Sequence, residues 1–284
     1  MKEVPLGFGS DRHLIGTLTL PASTTPRGPA FILPNAGVVH RIGPHRLHVK
    51  LARALARQGH PCLRLDLSGV GDSRTPADAA PFQQQVVHDL RQAMDHLQKI
   101  CSVDSFAIAG ICSGAHNGLA TALEDPRVKG LWMLDGYVYP TPRTHTVRLQ
   151  RQLAADPTRT LLSWTRSAIE RGARGLLGSD AVPAGKADAG DNAPPPEAFA
   201  RAIQSLVDRG TSVYFMYTGS LLWTYNYPEQ LRDAFAQHDF VHRVRCDYVP
   251  EIDHTATSLA AQRLVIERLG GWAAELAAAG ATPA

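Results

Sequence analysis

The pentapeptide Gly110-Ile111-Cys112-Ser113-Gly114 sets a thiol between two glycines, with an apolar run before it and a helical pattern after it. A Gly-x-nucleophile-x-Gly spacing at a strand-to-helix junction lifts a reactive atom out of a strained turn, and the glycines relieve collisions with neighbouring backbone. A helix starting here aims the positive end of its dipole at the sulfur, favouring thiolate and any oxyanion above it. In this register Cys112 carries the reactive atom. Ser113, one place on, contributes a backbone N–H to an oxyanion hole. The same segment also suits a plain tight turn with a buried thiol.

Acyl transfer by a thiol needs a base, and chain order places it late. His254, in Pro250-Glu251-Ile252-Asp253-His254-Thr255, sits on a loop before the last helix and is the candidate; His116, four residues past Cys112 on the same helix, is the weaker one. Asp253 is expected to point elsewhere. The loop after the apolar run 212–217 reads Thr218-Gly219-Ser220-Leu221-Leu222-Trp223-Thr224-Tyr225-Asn226-Tyr227 and holds no carboxylate, so the acid is sought at Asp135, after the run 128–134. Asn226 is the alternative partner for His254, because a Cys–His pair asks less of its third member than Ser–His does. The second oxyanion donor is expected from Asn35-Ala36-Gly37-Val38, through the N–H of Ala36 or Gly37.

These groups need a scaffold, and apolar runs alternate with helical patterns from about residue 28, which predicts a mainly parallel sheet flanked by helices. Strands are expected at 31–34, 62–67, 106–110, 128–134, 212–217 and 241–248; helices at 44–59, 83–99, from Cys112, at 228–237 and at 256–277. The alternating segments 3–9 and 13–20 suggest an antiparallel hairpin on the sheet edge. Between the sixth and seventh strands, Gly136 to Gly210 is too long for a plain loop. It is expected to form a helical cap, with helices near 143–155, 158–176 and 196–209 and a mobile segment near 178–195. The core is then 1–135 with 211–284, and the cap 136–210.

The 284 residues, 44% of them hydrophobic, suit one α/β domain with an insertion. Twenty-nine basic and 26 acidic side chains are too balanced for a nucleic-acid footprint. The start, MKEVPLGFGSDRH, lacks the apolar run of a secretory signal, and no stretch is long enough to span a membrane, so a cytoplasmic location is expected. The four cysteines lack CxxC spacing, and neither His40, His45 and His48 nor His238 and His242 have a carboxylate or cysteine to complete a metal set. No metal or cofactor is expected. Trp223, Tyr225, Asn226 and Tyr137, with Tyr139 and Tyr227, fall on loops at strand ends, where pockets form in open α/β sheets. Residues 140–177 carry seven arginines, Arg143, Arg148, Arg151, Arg159, Arg166, Arg171 and Arg174, against Asp156 and Glu170. Such a balance suits phosphates or an acidic carrier protein, and equally a solvated helix face.

Over nearly its whole length the sequence resembles the α/β-hydrolase superfamily, especially the serine-aminopeptidase-like and exosortase-associated hydrolase group. The likeness rests on the elbow, on Leu65-Asp66-Leu67-Ser68-Gly69-Val70-Gly71-Asp72-Ser73, on Asn35-Ala36-Gly37 with Gly43-Pro44-His45-Arg46, and on Asp253-His254. It implies that fold, a triad of Cys112, His254 and Asp135, and a substrate-facing Arg46. The departures are cysteine for serine and the missing late carboxylate. Cysteine in this box is also similar to dienelactone hydrolases and polyhydroxyalkanoate synthases. An acyl-cysteine keeps the activation of a thioester, so the expected substrate is acyl-CoA or an acyl-carrier protein, and the expected activity thioesterase, acyltransferase or cyclase. An ordinary esterase or lactonase, or a noncatalytic ligand-binding protein on the same fold, are the other readings.

Overall fold

The computed structural model describes residues 1–23, 26–155 and 193–280. Eight strands form one sheet: β1 (Lys2–Phe8), β2 (Leu14–Leu20), β3 (Ala30–Leu33), β4 (Cys62–Asp66), β5 (Phe106–Ile111), β6 (Val128–Leu134), β7 (Ser212–Thr218) and β8 (Arg245–Val249). Their spatial order is β1-β2-β4-β3-β5-β6-β7-β8. From β4 to β8 all neighbours are parallel, while β2 lies antiparallel to β4 and β1 to β2, so the first hairpin sits at an edge as expected.

Because side chains alternate across a strand, each central strand feeds two cores. Phe106 and Ile108 of β5, with Leu131, Met133, Val213 and Phe215, pack against α2 (Phe82–Cys101), α3 (Ser113–Glu124) and α5 (Pro196–Asp208). On the other face, Ala107, Ala109 and Ile111, with Trp132, Leu134, Tyr214 and Met216, meet α1 (Leu47–Arg57) and α7 (Leu259–Gly280). With both faces covered, strands such as Ala30–Leu33 read as unbroken apolar runs.

Five expectations are corrected. The helix near 196–209 is not part of a cap: Phe199, Ala200, Ile203 and Leu206 are fully buried, and their 3.6-residue spacing lays α5 against the sheet. The helix expected from 44 begins at Leu47, because His45 and Arg46 take left-handed backbone (φ 48° and 61°). The strand expected at 241–248 starts only at Arg245, after a 3₁₀ turn over Asp239–His242, and the helix before it, α6, is short (Gln230–Ala234). The last helix starts at Leu259, since Asp253 ties residues 253–257 into a turn, its carboxylate accepting from the N–H groups of Thr255 and Thr257.

Among the described residues one cap helix is present, α4 (Pro142–Ala155). It is held to the loop after β7: Asn226 Nδ2 donates to Thr144 O (3.0 Å), Arg151 Nη2 to Asn226 O (2.9 Å), and Arg143 stacks over Tyr227. The helix expected near 158–176 and most of the segment 178–195 lie outside the described residues. Among the described residues, no helix is long and apolar enough to cross a membrane.

Candidate active site

At the C-terminal end of β5 the chain turns sharply into α3, and Cys112 takes the strain with φ 57° and ψ −123°. That conformation costs a side-chain-bearing residue of order 1–3 kcal/mol and persists only where the surroundings force it. Here they do. A Cβ on Gly110 would stand 2.2 Å from the Gly114 carbonyl oxygen, and one on Gly114 would stand 2.7 Å from that of Asn35. Both contacts are to backbone, so both positions require glycine. Cys112 N–H donates to Leu134 O on β6 (2.9 Å), which pins the turn to the neighbouring strand.

The Cys112 thiol is half-buried and hydrogen-bonded to His254. That bond holds the thiol below its ordinary value, against the opposing effect of burial; the Ser113 backbone N–H acts with it. His254 Nδ1 lies 2.7 Å from Asp135 Oδ2. The hydrogen bond to this buried carboxylate, followed by the one to Cys112, raises His254 to about 10. Both shifts favour a thiolate–imidazolium pair at neutral pH, the state in which a thiol attacks a carbonyl.

Asp135 is buried and itself strained, with φ 47°. Its N–H donates to Met216 O, and both carboxylate oxygens are engaged by one residue: Thr218 N–H donates to Oδ1 (2.7 Å) and Thr218 Oγ1 to Oδ2 (2.6 Å). Ser220 Oγ accepts from His254 N–H (2.8 Å), and Gly219 N–H donates to Ile252 O, so the loops after β7 and β8 travel together. Thr218 and Ser220 escape sequence reasoning. The available signal is that a hydroxyl at the end of β7, where a carboxylate is sought, complements an acid one strand away.

The loop 35–43 is carried by a buried polar network. Asn35 Nδ2 donates to Asp66 Oδ1 (2.9 Å), its Oδ1 accepts from Leu67 N–H (2.7 Å), and Arg41 Nη1 bridges Asp66 Oδ2 (2.5 Å) and Asp72 Oδ2 (2.7 Å). His40, Asp66 and Asp72 offer ligand atoms within 4.8 Å of one another. The Arg41 guanidinium stands among them, 2.7 Å from His40 Nε2, so the charge a metal would supply is already present. The loop meets the elbow directly, Gly37 N–H donating to Ser113 Oγ (2.8 Å). Ala36 N–H makes no hydrogen bond among the described residues.

The remaining expected site residues divide. Trp223 is 59% exposed. Tyr225 is instead a core residue, stacked on Tyr217 with centroids 3.8 Å apart. Asn226 is buried and serves α4, so it does not orient His254; its Nδ2 donates to Thr144 O and its backbone N–H to Gln230 Oε1. Tyr139 and Tyr227 are buried too. Tyr137 lies flat on His116 (3.9 Å), and burial there lowers the His116 pKa. Arg46 is exposed. Of the cap arginines, Arg143 faces Glu229 and Asp233, while Arg148 and Arg151 hold backbone carbonyls of the 223–226 loop; the other four lie outside the described residues. Val38, Ile42, Leu222 and Trp223 are exposed on loops at the same end of the sheet as Cys112, as is Leu259 at the first position of α7.

A family model described as "alpha/beta hydrolase fold" matches residues 35–180. No curated protein matches the sequence. Among solved structures, the esterase domain of a Rhodothermus marinus protein is 18% identical with a TM-score of 0.56, covering 97% of this chain and 99% of its own. Est1E from Butyrivibrio proteoclasticus is 15% identical (TM-score 0.57; 96% and 99%). A proline iminopeptidase-related protein from Thermus thermophilus is 20% identical (TM-score 0.54; 98% and 100%). At these identities the likeness concerns the fold.

Proposed function

The chain belongs to the α/β-hydrolase family, and from that membership we propose that it is an acyl-transferring hydrolase whose nucleophile is Cys112, with His254 as acid–base and Asp135 as the group that orients and charges it. The observation that carries this reading is the continuous run from the Cys112 thiol through His254 to the buried Asp135 carboxylate, 2.7 Å from Nδ1. A noncatalytic receptor has no use for a thiol held below its ordinary value at a strained turn.

In the proposed reaction the thiolate Sγ forms a bond to the acyl carbonyl carbon, and the carbonyl π pair moves to oxygen. That oxyanion is received by Ser113 N–H and by the N–H of Ala36. The pair then returns, the bond to the leaving group breaks, and that group takes the proton held by His254. Water, or another acceptor deprotonated by His254, attacks the acyl-cysteine and releases the thiolate. Acyl thioesters, as acyl-CoA or on a carrier protein, are the proposed substrates, because thiolate exchanges with thioester at little cost in activation. The apolar side chains exposed at the Cys112 end of the sheet suit the acyl part.

Ester hydrolysis is the second reading, favoured by the likeness to proteins described as esterases. Intact-mass measurement after incubation with acyl thioesters and p-nitrophenyl esters separates the two. A wild-type acyl adduct absent from Cys112→Ala is expected, with thioesters the faster donors. Turnover of esters alone would select the second reading, and turnover surviving in Cys112→Ala would overturn the proposed nucleophile.

A further inference from the structure

The Ser113 side chain has no role in the arrangement just described, yet it occupies a decisive place. As the first residue of α3 it follows the strained Cys112, and its backbone N–H is hydrogen-bonded to the Cys112 sulfur. Its hydroxyl oxygen accepts the N–H of Gly37 at 2.8 Å. Gly37 lies on a loop that cannot drift: Asn35 is fully buried on Asp66 and Leu67, and its carbonyl stands where a Cβ on Gly114 would be. The Gly37 amide is therefore committed to Ser113 Oγ and reaches the reacting centre only through that hydroxyl.

A hydroxyl has one hydrogen and two lone pairs. One lone pair is taken by Gly37, and among the described residues no acceptor holds the hydrogen. We propose that this hydrogen is a catalytic donor to the oxyanion. The Gly37 amide polarises the Ser113 hydroxyl, which bonds the same oxygen that Ser113 N–H serves, so that one residue offers both its main-chain and its side-chain donor. Hydrogen bonds in such a chain strengthen one another, and the effect grows as negative charge develops on the terminal acceptor. No atom changes partner covalently in this role; it lowers the energy of the tetrahedral state formed by Cys112, and it rests on that reading.

Ser113→Ala keeps the backbone N–H and removes only the hydroxyl, and Ser113→Thr restores one. The readouts are kcat and KM with a p-nitrophenyl acyl ester, and the rate of Cys112 alkylation by iodoacetamide, a displacement at saturated carbon that forms no oxyanion. Losing one oxyanion donor costs about 10²–10³-fold in kcat. Because Gly37 N–H is released in the alanine variant, we expect the low end, about a hundredfold, with KM little changed, partial recovery in Ser113→Thr, and alkylation as fast as wild type. Equal kcat in wild type and Ser113→Ala, or a higher kcat in the variant because the hydroxyl merely blocks Gly37, would overturn the proposal while leaving Cys112 as nucleophile. A slower alkylation in step with kcat would also overturn it, since the hydroxyl would then be acting on the thiol. If wild-type Cys112 neither alkylates faster than a free thiol nor acylates, the reading of Cys112 fails and this one with it.

Discussion

Replacing Asp135 by Asn is the sharpest test of how charge is arranged around the thiol. Asp135 Oδ2 takes Nδ1–H of His254 at 2.7 Å, and that bond is the largest cause of the rise of His254 to about 10. An amide carries no charge, and its neighbours at this carboxylate, Thr218 N–H, Thr218 Oγ1 and His254, together ask for two acceptor oxygens where Asn has one. The imidazolium then loses its support, and the Cys112 thiol returns toward its ordinary value of 9.0. A thiol at that value is about 1% thiolate at pH 7, so the thiolate population should fall by up to about a hundredfold. The more basic sulfur is the better nucleophile, with a Brønsted slope of about 0.4–0.5, which trims the loss of alkylation rate to on the order of tenfold. The assay is the iodoacetamide rate from pH 5 to 10, read by intact mass on both proteins. Wild type should level off below pH 9; Asp135→Asn should lag at pH 7 and, its sulfur being the more basic, overtake wild type above pH 9. Superimposable profiles would refute the argument that the carboxylate sustains the ion pair.

Three further outcomes are expected. Thr218→Val removes the hydroxyl donor to Asp135 Oδ2 (2.6 Å) without changing the charge; it should destabilise the fold by about 1–3 kcal/mol in urea unfolding and lower kcat more than it alters KM. Gly114→Ala drives a Cβ to 2.7 Å from the Asn35 carbonyl, which should cost about 1–3 kcal/mol by thermal denaturation and, by displacing the loop at Ala36 and Gly37, more than tenfold in acylation rate. Third, a histidine raised in the folded state stabilises it below the ordinary value of 6.5 and loses that contribution as pH climbs toward about 10. In a Cys112→Ala background, which removes the coupled thiol, Asp135→Asn should therefore lower Tm most at pH 6 and progressively less as pH rises. A Tm gap that widens with pH would contradict the assigned sign.

Much of the scaffold is legible without coordinates because its causes are local. The two-sided burial of Ala30–Leu33 and Phe106–Ile111 is written in unbroken apolar runs. The elbow is legible for the same reason: the contacts that would meet a Cβ at Gly110 and Gly114 exclude larger side chains, so the strain leaves a mark in residue type. Helix α5 is misplaced because its apolar stripe says that one face is buried, and not whether the sheet or a cap buries it.

What tertiary structure alone decides is which polar groups meet. Asn226 and Asp135 both stand on loops at strand ends as possible partners of His254; the parallel pairing of β6 with β7 sets Thr218 beside Asp135, while α4 turns Asn226 away. Tyr225 and Trp223 are two aromatics of one loop, and only packing against Tyr217 makes the first core and leaves the second at the surface. Ser113 shows the same division. Its position beside the thiol follows from the spacing of two glycines, a local steric demand, whereas the approach of the Gly37 amide to its hydroxyl is a contact between residues 76 apart in sequence. Steric rules act between neighbours and so reach the sequence; hydrogen-bond partnership across strands depends on register and loop path, which the whole core must settle first.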